Sequence, residues 1–156
     1  MSKRTGSKFY WSIFAIGVLC FITATEIIGQ IFFINRTESM PTGIYIKTKD
    51  TMPAIGDIII FKLSSYKTNL IKYVAGIAGA EYCLDETNGF WINGIPVAQK
   101  NIQKYPEEPA QQSICQRLKP DELLVLGEHE NSYDSRYFGP IKKEDIVISV
   151  KFLWPK

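Results

Sequence analysis

The chain has 156 residues, of which 46% are hydrophobic and 22% charged, with a formal net charge of +2. That balance excludes a disordered chain, and it leaves room beyond any membrane segment for one domain with one core. A charge so small and scattered leaves no footprint for nucleic acid, and one histidine, His129, with three cysteines lacking Cys-x-x-Cys spacing leaves none for a His-rich metal centre or a zinc ribbon, so neither a metal nor a cofactor is expected.

Residues 1–8 carry Lys3, Arg4 and Lys8 and no acid. Residues 9–25 are uncharged, Glu26 interrupts, and the apolar character then continues to Ile34. This length falls within the roughly 17–25 residues of a membrane-spanning helix, so residues 9–34 are expected to form an anchor. The positive charge before it places residues 1–8 in the cytoplasm and residues 35–156 outside. The competing reading is a cleaved signal peptide. Ala24 suits the position before a cut, but Ile22 is too bulky two residues earlier, and residues 27–34 would remain as an apolar tail. A retained single-pass anchor in the cytoplasmic membrane is therefore the expectation. Trp11, Phe32 and Phe33 suit interfacial anchoring, and ordinary lipid-facing packing explains them equally well. Outside the cytoplasm a disulfide is permitted. A bridge between Cys83 and Cys115 and a pair of buried free thiols both stay open, while Cys20 falls within the span.

The outer region reads as strands in order. In residues 43–47, Ile44 and Ile46 alternate with Tyr45 and Lys47, a half-buried strand. Residues 57–63 are a near-continuous apolar run bounded by turn signals, as in a strand buried on both faces. Residues 70–75 form a third strand, in which Lys72 shares a face with Leu70 and Val74 while Ile71, Tyr73 and Ala75 face the other way. Residues 81–85 and 90–92 are short strands, and Asn93-Gly94 marks a tight hairpin into Ile95 and Val97. Residues 101–120 are polar and without clear period, a surface excursion tied down by Cys115; with the strands before it, 81–120 is the variable part of the domain. Residues 122–126 are a strand, 127–140 a polar loop, and 146–153 a closing strand. No helical period is convincing after residue 35. The fold class expected is mainly β, an antiparallel sheet wrapped into a partly open barrel, behind one transmembrane helix.

Three segments carry the candidate chemistry. Ser39 lies in a turn, because Pro41 fixes its own φ and pushes Met40 out of the helical region; a lone serine there commonly does no more than turn the chain. Lys72 lies in an apolar strand, where desolvation lowers an amine's pKa unless the side chain snorkels to water. The third segment is the polar run 127–136. A serine hydroxyl needs a base to take its proton. With histidine scarce, a neutral lysine is the substitute, provided its pKa falls from about 10.4 by roughly 2–4 units. The Ser39 N–H and the Thr37 hydroxyl are local candidates for stabilising an oxyanion.

On these residues the chain resembles a type I signal peptidase, a Ser/Lys leader peptidase. Ser39-Met40-Pro41-Thr42 resembles the family's nucleophile box, and Pro53-x-x-Gly56-Asp57 followed by Ile58-Ile59-Ile60-Phe61 its Gly-Asp-hydrophobic strand. Lys72-Tyr73-Val74-Ala75-Gly76-Ile77-Ala78-Gly79 resembles its lysine box, and Asn131-Ser132-Tyr133-Asp134-Ser135-Arg136-Tyr137-Phe138-Gly139 its closing box. The four boxes occur in family order. The resemblance implies that Ser39 is the nucleophile, Lys72 the general base, Ser132 the orienter of the Lys72 amine and Thr37 part of the oxyanion hole. Asp134 and Arg136 would form a structural ion pair behind the site, and His129 would be a loop residue without a role. Three features depart from the family pattern. No residue separates Met40 from Pro41, the closing box begins Gly127-Glu128-His129 and is one residue short, and Ala78 and Ala80 replace the usual Pro and Asp.

The compact run Asn35-x-Thr37-x-Ser39-x-Pro41-x-Gly43-x-Tyr45 is more similar to the TraF-type branch, which matures a pilin-like subunit for conjugative transfer. The implied partners are the membrane and a precursor protein with a signal peptide and small residues before the cut, a pilin subunit in the TraF reading. Ser39 lies thirteen residues past Glu26, so the site is expected near the membrane surface. The alternatives are a general signal peptidase of secretion and a non-catalytic, membrane-anchored assembly subunit of the same fold.

Overall fold

The computed structural model describes residues 5–48, 52–84, 89–101 and 114–155. The chain divides into two units, Met1–Phe33 and Ile34–Lys156. The first is helix α1, Thr5–Ile31. Its stretch Phe9–Ile31 has a mean hydropathy of 2.0 and is long and apolar enough to cross a membrane. Two of its few polar side chains are turned inward: the Thr23 hydroxyl donates to the Cys20 carbonyl at 3.0 Å and that of Thr25 to Ile22 at 2.8 Å. The helix stops at Ile31, three residues before the expected end of the anchor. Phe32–Asn35 is instead strand β1, as suits an aromatic and β-branched run that ends on a turn-forming Asn.

The second unit is mainly β. After β1 come β2 (Gly43–Lys47), β3 (Ile58–Phe61), β4 (Leu70–Gly76), β5 (Glu81–Leu84), β6 (Gly89–Ile92) and β7 (Ile95–Gln99). They are followed by β8 (Ile114–Arg117), β9 (Glu122–Leu126), the short helix α2 (Ser135–Phe138), β10 (Ile141–Lys142) and β11 (Ile146–Pro155). Seven strands form one sheet in the order β1-β2-β11-β3-β4-β9-β10, and four form a second in the order β7-β6-β5-β8. Among the described residues no pairing closes the larger sheet, so it is an open antiparallel sheet.

The centre of the larger sheet is buried on both faces because its strands are apolar at consecutive positions. Ile59, Phe61, Val74, Leu123, Val125 and Ile141 build the core on one face. Leu124 and Leu126, the alternate residues of β9, join Leu84, Phe90, Ile92 and Leu118 in a core on the other, together with Tyr73 and Ala75 of β4. Each layer is stabilising in proportion to the apolar surface it removes from water, at about 25 cal/mol per Å². The β6–β7 turn is the expected tight hairpin: Asn93 and Gly94 both have positive φ, 50° and 75°, the pair that a type I′ turn requires.

Three expectations need correction. In β2 the alternation is present but reversed: Tyr45 is buried and Ile44 exposed. Tyr45 wins the inner face because its ring packs on Phe152 and its hydroxyl donates to the Pro41 carbonyl at 2.7 Å. The polar excursion ends in a true strand, β8, paired in register with β5 so that Cys115 stands opposite Cys83; residues 102–113 lie outside the described residues. The loop 127–140 contains α2 and is largely buried from Ser132 to Tyr137, since its polar side chains bond to one another and to the sheet.

Candidate active site

Lys72 is set by the register of β4 against β3, where it pairs with Ile59. It shares a face with Val74, and its residue is only 3% exposed. Its Nζ donates to Ser39 Oγ at 2.9 Å and to its neighbour's carbonyl, Ile71 O, at 3.0 Å. Burial pulls the amine down from its ordinary 10.5 to about 8; Asp134 opposes the shift and Arg136 adds to it. This amine is neutral in a useful fraction of molecules near neutral pH and touches a hydroxyl.

Ser39 sits in the turn between β1 and β2. Thr37 Oγ1 lies 3.3 Å from Ser39 Oγ. The turn is held from two sides. Asn35, at the end of β1, bonds to its backbone at Thr37, Met40 and Pro41. From the other side the Glu128 N–H donates to the Ser39 carbonyl at 2.9 Å. Gly127 makes that approach feasible: a Cβ there would collide with Ser132 Oγ and come within 2.6 Å of the Ser39 carbonyl oxygen.

The polar run after β9 wraps around one ion pair. Arg136 Nη2 meets Asp134 Oδ2 at 2.7 Å and Nε meets Oδ1 at 2.8 Å, both residues buried. Asp134 also accepts from the N–H of Gly127 at 2.9 Å, and Arg136 donates to the carbonyls of Gln99, His129, Glu130 and Ser132. A charge pair removed from water is tolerated only when its remaining hydrogen-bonding capacity is filled, and here the filling groups are the backbone of the loop that carries Ser132 and the Gln99 carbonyl of β7.

Ser132 is brought to the site but not to the amine. Its hydroxyl is buried without a hydrogen-bond partner, and its backbone N–H donates to His129 O. His129 Nδ1 accepts from the Asn131 N–H at 3.0 Å. His129 lines a cleft of about 510 Å³ together with residues of the Ser39 turn, Asn69–Lys72, Tyr66 and Tyr133. Cys83 and Cys115 are joined by a disulfide, away from this cleft in the smaller sheet. Among the described residues no cluster of metal-ligating side chains occurs. Sequence reasoning placed Asn35 in the compact Asn-x-Thr-x-Ser run and Gly127 at the head of the closing box, but gave neither a role.

A family model described as signal peptidase, peptidase S26, matches residues 7–154. Signal peptidase I of Leptolyngbya laminosa is 32% identical over 114 residues, which cover 66% of this chain and 54% of that protein. Probable signal peptidase I-2 of Synechocystis sp. (strain ATCC 27184 / PCC 6803 / Kazusa) is 30% identical over 112 residues, 66% of this chain and 49% of that one. The chain thus spans about half the length of the curated relatives it matches. A crystal structure of signal peptidase I from Enterococcus faecalis V583 aligns with a TM-score of 0.43 at 20% identity, covering 63% of this chain and 96% of that one.

Proposed function

The chain belongs to the signal peptidase, peptidase S26, family, and on that premise we propose that it is a serine endopeptidase that removes signal sequences from exported precursors by a Ser39–Lys72 dyad. The observation that carries the reading is the 2.9 Å contact between a desolvated Lys72 amine and the Ser39 hydroxyl. In acylation, neutral Lys72 takes the Ser39 proton as Oγ bonds to the scissile carbonyl carbon. The carbonyl π pair moves to oxygen, where the Ser39 N–H and the Thr37 hydroxyl are the donors. Collapse breaks the C–N bond, and the Lys72 ammonium returns its proton to the leaving amine. Water, deprotonated by Lys72, then adds to the acyl carbon, and as the ester C–Oγ bond breaks the Lys72 ammonium returns the proton to Ser39 Oγ. Ser132, whose buried hydroxyl has no hydrogen-bond partner at rest, would turn to the amine and steady it during turnover.

Helix α1 would be the membrane anchor, with the β unit outside the cytoplasm. Ser39 follows the helix end at Ile31 by eight positions, which suits a substrate tethered by its own apolar segment. An extended substrate with small residues at the first and third positions before the cut would lie along the 510 Å³ cleft beside the edge strand β1.

A finer reading, that the chain is TraF-type and matures a pilin-like subunit, is favoured by one specific observation. The residues of its compact motif act as a unit, since Asn35 and Tyr45 both bond to the Pro41 carbonyl.

The test is to mix the full chain in detergent with a precursor that carries an apolar leader ending in Ala-x-Ala, using Ser39→Ala and Lys72→Ala as controls. Cleavage by the unmodified chain alone is expected. Cleavage by all three proteins, or by none, would overturn the dyad. Mass spectrometry of a pilin-type product would report whether its ends are free or joined.

A further inference from the structure

We propose that Asn35 is a positioning residue of this reaction, holding the Thr37 hydroxyl and the Ser39 turn as one hydrogen-bonded unit. The inference rests on the Ser39–Lys72 reading above. Asn35 is only 7% exposed, and the two ends of its carboxamide do different work. Nδ2 donates to the carbonyls of Thr37 at 3.0 Å, Met40 at 2.9 Å and Pro41 at 3.2 Å, closing the turn from within. Oδ1 accepts the Thr37 backbone N–H at 3.1 Å and the Thr37 hydroxyl at 2.7 Å. A flipped amide would set its oxygen against three carbonyls and its NH₂ against an N–H, so the network itself fixes the orientation.

The consequence concerns one proton. A hydroxyl has a single proton to donate. Thr37 makes its shorter bond to Asn35, at 2.7 Å, and lies 3.3 Å from Ser39 Oγ. With its proton on Asn35, Thr37 offers Ser39 a lone pair. While Lys72 is charged the donors then run in one direction, from Lys72 to Ser39 to Thr37 to Asn35. When Lys72 is neutral, the Ser39 hydroxyl turns to the amine. Thr37 is then free to rotate its proton from Asn35 to the developing oxyanion, while its backbone stays pinned by Asn35 Oδ1. No covalent bond changes in this step; only the acceptor of the Thr37 proton does.

The test is a double-mutant cycle on the full chain in detergent, read on a fluorogenic peptide with Ala at the first and third positions before the cut. Asn35→Ala is expected to lower kcat about 10–100-fold, short of the loss of an oxyanion donor itself, with KM within about threefold. On a Thr37→Val background the same substitution should cost clearly less than it does alone, because the Thr37 hydroxyl bond is already gone and only the bonds of Asn35 to the turn backbone remain to be lost. Losses that multiply, or a rise in KM with kcat unchanged, would overturn the proposal. A second readout needs no substrate. In ¹⁵N-labelled protein the Asn35 side-chain amide should exchange slowly with water and should shift on Thr37→Val. Surface-like exchange, or a resonance that Thr37→Val leaves in place, would overturn it. If the unmodified chain fails on the peptide, the dyad reading falls, and the NMR measurement still decides on Asn35.

Discussion

Lys72 ties the proposed chemistry to one titration. As the proposed base it must be neutral to act, and burial pulls its amine down to about 8. We therefore expect kcat/KM to rise about tenfold per pH unit below pH 8 and to level off above it, measured on the fluorogenic peptide. The same group gives a stability signature. Between about pH 8 and 10.5 the unfolded chain binds a proton at Lys72 that the folded chain does not. Linkage then makes the protein more stable as pH rises through that window. Lys72→Met should abolish cleavage, raise Tm at pH 7 and remove this rise, which thermal melts at pH 7, 8.5 and 10 will read. Ser132→Ala makes a contrasting case. Its hydroxyl has no partner to lose, so stability should hold or increase by up to about 1 kcal/mol, while kcat falls if the hydroxyl engages Lys72 during turnover.

At the level of elements, the segment from the end of β9 through α2 braces the Ser39 turn through the Glu128 N–H. Asp134 caps α2 by accepting the Arg136 N–H, binds its guanidinium and accepts the N–H of Gly127. Asp134→Asn leaves a buried guanidinium without its counter-charge and should cost about 3–5 kcal/mol, seen as a lower urea midpoint. Gly127→Ala is expected to separate activity from stability. The added methyl must displace Ser132 or the Ser39 carbonyl, so kcat should collapse, while the two core layers, which lie elsewhere, keep the fold intact by circular dichroism. The hydrogen-bond pattern explains why Tyr45 rather than Ile44 faces inward: its hydroxyl reaches Pro41 and completes the same turn.

Across the whole molecule, the cleft is assembled from segments near residues 35–39, 66–72 and 129–133, and the smaller sheet is bound by Cys83–Cys115 across 32 positions. In the chain-entropy account a loop of that length contributes on the order of 3–4 kcal/mol. Reduction should lower Tm markedly yet leave the pH at which activity levels off unchanged, because the disulfide lies in the other sheet from Lys72.

The sequence by itself determined the apolar helix, the strand character of residues 43–47, 58–61, 70–75 and 122–126, the tight hairpin at Asn93-Gly94 and the two-faced burial of β3, and it singled out Ser39 and Lys72 as candidates. Each of these is a matter of local period, turn chemistry or a short motif, and such signals lie within a few residues of one another. Only the tertiary structure decided that Lys72 Nζ stops 2.9 Å from Ser39 Oγ, that Ser132 arrives without a partner, that Asn35 knits the turn, and that Gly127 must lack a side chain. Those facts depend on where strands distant in the chain come into register, and hydrogen bonds and steric contacts between remote segments leave no periodic trace in the residues that make them.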